Sequence, residues 1–125
     1  MDDDFPADVK EFIRKHIHSI AHLEVLLLIG REPQRAWTTD ELTSRLYLRT
    51  QMVAALLADI VRRGFAVQEE GCFRYQPASD IDRQLIERLA EVYQVRRVAV
   101  TTEIFSKPRE FARAFADAFR LRKEE

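Results

Sequence analysis

Residues 37–76 read WTTDELTSRLYLRTQMVAALLADIVRRGFAVQEEGCFRYQ, and the order of signals in this stretch decides the fold. Thr38 to Glu41 has the form Thr-x-x-Glu, a capping box in which each side chain satisfies an otherwise unpaired backbone donor. It opens a short helix, about residues 39–46, with Leu42 and Leu46 on one face. Trp37 precedes the cap and is placed to staple the helix entry to the core. Tyr47-Leu48-Arg49 leaves room only for a turn. A longer helix follows from about 50 to 63, with Val53, Leu56, Leu57, Ile60 and Val61 as its buried stripe. Arg62 and Arg63 suit the negative end of the helix dipole, and Gly64 suits a left-handed cap.

Residues 65–76 then read as a β-hairpin, because Phe65 and Val67, then Phe73 and Tyr75, alternate with polar positions. Two registers are open. A two-residue loop at Glu70-Gly71 places Val67 opposite Arg74 and splits the apolar residues between faces. A three-residue loop, Glu69-Glu70-Gly71, pairs Val67 with Phe73 and Phe65 with Tyr75, and puts glycine where a positive φ is needed. The second register is preferred. It points Gln68, Cys72 and Arg74 outward.

Outward from this unit the chain is helical. Val9, Phe12, Ile13, Ile17, Ile20, Leu23, Leu26 and Leu27 recur at helical spacing over residues 7–30. Ser19 is a candidate cap for a second helix within that span, and one long helix or two both fit. Gly30 and Pro33 end it. After Pro77, Ser79 or Asp80 caps a helix carrying Ile81, Leu85, Leu89, Val92 and Tyr93. Residues 95–105 are rich in Val and Thr, which favour strands, but read best as continued helix. Ser106-Lys107-Pro108 breaks it, and a last helix is expected over about 108–122, with Phe111, Phe115 and Phe119 at intervals of four.

The 125 residues form a single expected domain, 46% hydrophobic and 33% charged. That apolar content suffices for a core and argues against disorder. The one cysteine, Cys72, excludes an internal disulfide framework and any multi-cysteine metal knuckle. The acidic N-terminus is unlike a secretory signal, and apolar runs such as Val25 to Ile29 are far too short for a bilayer. The cytoplasm is the expected address. The net charge of −1 argues against bulk binding of polyanions. Residues 35–76 carry six bases, all arginine, against five acids, so the central unit is mildly basic.

Taken together, Glu41, Leu42, Leu46, Leu48, Val53, Leu57 and Ile60, followed by Gly64-Phe65-x-Val67 and a glycine-turned hairpin, resemble the winged helix-turn-helix of MarR- and PadR-type transcription regulators. The resemblance covers about residues 20–76. It implies a mainly α fold with a small β-hairpin: a helix-turn-helix at about 38–63, a wing at about 65–76, and terminal helices at about 7–30 and 80–122 for packing and dimerisation. It further implies a homodimer on double-stranded DNA, with the helix at 50–63 in the major groove and the wing on phosphates. Carried onto this chain, the contacts fall on Thr50 and Gln51, which face outward beside Ala54, Ala55, Ala58 and Asp59, and glutamine pairs bidentately with adenine. Arg45, Arg49 and Arg74 flank that face as phosphate contacts. Thr38 and Thr39 sit at a helix N-terminus, a natural phosphate seat. The sequence departs from the family at Arg49, where a small capping residue is usual.

The alanine-rich outward face and near-zero net charge support an alternative, a winged-helix module whose partner is a protein. His18 and His22 are four apart, so they share a helical face with Glu11 nearby, but two surface histidines are expected to be only that, and neither metal nor cofactor is expected. Cys72 reads as an inert thiol. Phe111, Phe115 and Phe119, each worth about 2–3 kcal/mol when buried, are assigned to a two-fold dimer interface. No phosphate loop, nucleophile elbow or metalloprotease motif is present, so an enzyme is not expected.

Overall fold

The computed structural model describes residues 6–106. Within them the order is α1 (Ala7–His16), α2 (Ile20–Arg31), α3 (Thr39–Leu46), α4 (Thr50–Arg62), β1 (Ala66–Glu69), β2 (Cys72–Tyr75), α5 (Asp80–Val95) and α6 (Arg97–Phe105). The chain is thus mainly helical with one antiparallel hairpin: a winged helix carrying extra helices before and after it. The helix expected at about 108–122, with Phe111, Phe115 and Phe119, lies outside the described residues.

The N-terminal stretch is two helices, not one. The backbone is extended at Ile17, and Ser19 caps α2 with its hydroxyl accepting from the His22 amide at 3.1 Å. The break lets α2 turn into the centre of the molecule. His22, Leu23 and Val25 to Ile29 are all buried, as expected of a helix packed on nearly every side. It touches α3, α4 and β2, while α1 packs against α5 and α6. Arg88 clamps Asp8 at 2.6 and 3.0 Å, tying α5 to α1.

The Thr38–Glu41 capping box forms as read. Thr38 Oγ1 accepts from the Glu41 amide at 3.1 Å, and Glu41 Oε1 accepts from the Thr38 amide at 3.0 Å. Tyr47 closes α3 in the left-handed conformation, its amide donating to the Thr43 carbonyl at 2.9 Å. α4 buries Val53, Leu57 and Ile60, and Gly64 at φ 86° ends the turn beyond it. Phe65 is fully buried and stacks against Phe12 and His16, which fastens the start of the hairpin to α1.

The hairpin register differs from the expected one. Ala66 pairs with Tyr75, Val67 with Arg74, Gln68 with Phe73 and Glu69 with Cys72, leaving the two-residue loop Glu70-Gly71. Both loop residues have positive φ, 53° and 80°. That is the combination whose twist matches two right-handed strands. The three-residue reading assumed that Val67 and Phe73 must share one buried face. Instead the inner face belongs to Ala66, Phe73 and Tyr75, and Trp37 adds a third partner there, exchanging two 2.8 Å backbone bonds with Phe73. Phe65 needs no place in the ladder, because it packs below it. Gln68 therefore sits opposite Phe73, while Cys72 and Arg74 keep the opposite face.

Ser79, not Asp80, caps α5, accepting from the Asp82 amide at 3.1 Å. Residues 95–105 are helical as expected, but with a break. Arg96 (φ −126°, ψ 54°) ends α5 and starts α6, whose β-branched Val100 and Ile104 are buried. Tertiary packing there overrides local strand preference.

Candidate nucleic-acid interface

One face of the helix-turn-helix is open. Thr50, Gln51, Met52, Ala54, Ala55 and Ala58 on α4 are exposed, whereas every third or fourth residue between them is buried. The exposed set expected from periodicity is thus observed, with one exception. Asp59 turns inward: its carboxylate contacts Arg62, Arg63 and His22, and its side chain is only 18% exposed. Its negative charge is thus held at the back of α4, away from the exposed face of Thr50, Gln51, Ala54, Ala55 and Ala58.

Arg49 sits at the N-cap of α4, exposed, and supplies no side-chain cap. The first amides of α4 are consequently left without a capping side chain, and they point with the dipole toward anything anionic in front of Thr50. No carboxylate among the described residues lies within ion-pair distance of Arg49. Arg45 is also exposed, its guanidinium 5.2 Å from the Trp37 ring centre. Arg35 covers that ring more closely, at 3.7 Å, and leans toward Glu32 and Glu41. Arg74, on the wing, is engaged by Glu69 at 3.0 Å and Gln76 at 3.2 Å. A phosphate there would have to share the guanidinium with Glu69. Thr38 and Thr39 are half-buried. The Thr38 hydroxyl already accepts from Glu41, and the Glu41 carboxylate occupies the helix mouth, so this N-terminus is a poorer anion seat than that of α4. Arg49, Thr50 and Gln51 are consecutive and exposed at the start of α4, whereas Arg45 lies on the side of α3 that faces Trp37 and Glu41, and Thr38 and Thr39 lie at the start of α3.

Behind α4 lies a cluster that periodicity alone did not show. Arg63 donates to Asp59 Oδ2 at 2.7 Å and to the Lys15 carbonyl at 3.2 Å, and also contacts His16 and His18. His22 Nε2 approaches Asp59 Oδ2 to 2.9 Å without hydrogen-bond alignment. The three histidines are therefore not a surface group: His22 is 1% exposed and the other two are half-buried. Burial pushes the His22 pKa down to about 4 against the opposing pull of Asp59. Burial and the Arg63 charge also lower His16. For Asp59, burial acts upward, but the Arg63 hydrogen bond and the surrounding cations outweigh it and hold the carboxyl low. With a guanidinium at its centre, the cluster repels a cation, and among the described residues no three potential ligands converge on a metal position.

A cavity of about 590 Å³ between α2 and α5 was also not legible in the sequence. Leu28 and Ile86 give it an apolar floor, and Glu24, Arg31, Tyr75 and Arg97 rim it. Burial raises the Tyr75 phenol to about 12, so it stays protonated. Cys72 is half-buried beside the wing turn. Among the described residues no helix is long and apolar enough to cross a membrane.

The helix-turn-helix, the hairpin behind it and the flanking helices define a winged-helix fold. Among solved structures, the chain is similar to MepR, a transcription regulator of the Staphylococcus aureus multidrug efflux pump MepA, with a TM-score of 0.52. The two are 12% identical in sequence, and the match covers 94% of this chain and 88% of that one. No protein-family model matches the sequence, and no curated protein matches it significantly.

Proposed function

We propose that this chain is a DNA-binding transcription regulator, not an enzyme. It acts in the cytoplasm as a homodimer on double-stranded DNA, with α4 in the major groove and the β1–β2 hairpin as the wing. The observation that carries the reading is the α4 N-terminus: exposed Thr50 and Gln51 stand behind uncapped helix amides and an exposed Arg49 with no ion-pair partner among the described residues. Gln51 reads a base edge and Thr50 a base or phosphate, while Arg45, Arg49 and Arg74 hold phosphates. Thr38 and Thr39 lie at the edge of the contact. The similarity to MepR supports the same reading through the fold. Exposed apolar Val95, Val98 and Phe105 on α5 and α6 support pairing of two copies through the C-terminal part of the chain, to which the sequence also assigns Phe111, Phe115 and Phe119.

The test is a mobility-shift assay with DNA from immediately upstream of the coding sequence. The Arg49→Glu, Arg74→Glu double variant retains its helical circular dichroism and melting midpoint but loses DNA retention. Unchanged retention overturns the assignment of contacts. The alanines of α4 favour one second reading, a protein-binding module. It requires a salt-insensitive complex with a protein and none with DNA, whereas binding through several phosphates weakens steeply with salt.

A further inference from the structure

We infer that Tyr47 is a direct DNA contact, its phenol donating a hydrogen bond to a backbone phosphate beside the groove that α4 enters; the inference rests on the DNA-binding reading above. Two independent features single it out. Its side chain is 93% exposed, more than Ile81, Val95 or Val98, so the ring adds nothing to the core. Its backbone is left-handed, φ 58° and ψ 39°, a conformation that crowds a Cβ and usually belongs to Gly or Asn.

The fold needs the conformation but not the phenol. The left-handed step ends α3 and redirects the chain into α4, and the Tyr47 amide donates to Thr43 whatever the side chain. The side chain makes no hydrogen bond among the described residues. A bulky aromatic is therefore kept at a position where both backbone geometry and solvent exposure favour a small polar residue, and such an outlier points toward function.

Its position says which function. Half-buried Leu48 anchors the turn, and the residues on either side of it, Tyr47 and Arg49, both project into solvent. Arg49 is followed at once by Thr50 and Gln51. Tyr47 thus stands on the rim of the surface that would face the duplex, two residues before exposed Arg49 at the N-cap of α4. A tyrosine there offers a neutral O–H donor to a phosphate oxygen and a ring to the adjoining deoxyribose.

Neutrality makes the inference testable apart from the arginines. Fluorescence anisotropy with labelled duplexes tiling the DNA upstream of the coding sequence gives affinity at several salt concentrations. Tyr47→Phe binds about tenfold more weakly, and Tyr47→Asn, which suits the left-handed backbone, loses at least as much. Both melt no lower than the wild type. Neither changes the slope of log affinity against log salt, because no counterion exchange is lost. Arg49→Ala, measured alongside, flattens that slope. Wild-type affinity in Tyr47→Phe overturns the inference and leaves the DNA-binding reading in place, including where the variant instead loses a protein complex. Wild-type protein that binds none of the duplexes overturns both.

Discussion

His22 is the residue whose protonation the fold tolerates least. It is fully enclosed, and Asp59, His18 and Arg63 face it from α4 and from the α1–α2 joint. In the unfolded chain it titrates near 6.5, and in the folded protein at about 4. Between those values the unfolded state binds a proton that the folded state refuses, so stability rises with pH and is lost as pH falls below about 6.5. His16 is shifted the same way and adds to the effect. Asp59, whose carboxyl is held low, joins only at still lower pH. The expected loss from His22 between pH 7 and pH 4.5 is about 2–3 kcal/mol. Urea unfolding at several pH values measures it, and His22→Leu should remove most of the slope. A wild-type profile flat over that window would show that His22 is not held neutral.

At the scale of the element, the two devices that shape the helix-turn-helix and its wing make separate predictions. Thr38→Ala removes one half of a complete capping box and should lower stability by about 1 kcal/mol, read from chemical denaturation. In the wing, Glu70 holds φ 53° ahead of Gly71 at φ 80°. Asn-Gly is the preferred pair for such a loop, so Glu70→Asn should raise stability by about 0.5–1 kcal/mol; a lower melting midpoint would contradict the two-residue turn. These elements also show what the sequence could tell. Thr38-x-x-Glu41, the α4 stripe and Gly64 are local signals, none of which depends on a residue far away in sequence, and each was legible. The hairpin register was not, because it depends on Trp37 joining Phe73 from thirty-six residues earlier. Asp59 looked outward by periodicity alone, since only the folded joint brings Arg63 and His22 to it. The break at Arg96 was equally hidden, for nothing in its neighbours' types demands one. On the candidate surface, the outward placing of Thr50 and Gln51 was legible from helix phase and Arg49 came from the family resemblance, whereas Tyr47 reads in sequence merely as a turn residue, its exposure and left-handed backbone being set by the fold.

At the scale of the whole molecule, the salt dependence of DNA binding reports both the contacts and the number of chains that make them. Each phosphate neutralised on duplex DNA steepens log affinity against log salt by about 0.9. If Arg45, Arg49 and Arg74 each hold one phosphate, a monomer has a slope of about −3 and a dimer about −5. Between 50 and 200 mM salt the dimer then loses about two-thousandfold in affinity and the monomer about fortyfold. Arg74 sets a bound on this figure, because its ion pair with Glu69 must loosen before a phosphate gains its full charge. Arg49 has no such competitor among the described residues, which makes it the cleaner probe. In a homodimer, Arg49→Ala removes two contacts per complex and should flatten the slope by about 2; in a monomer it removes one and flattens it by about 1. The same titration on Phe115→Lys, a charge placed in the C-terminal phenylalanine stripe, should halve the wild-type slope, with sedimentation showing a single chain. A slope that Phe115→Lys leaves intact would mean that the two copies, if they pair, do not pair through that stripe.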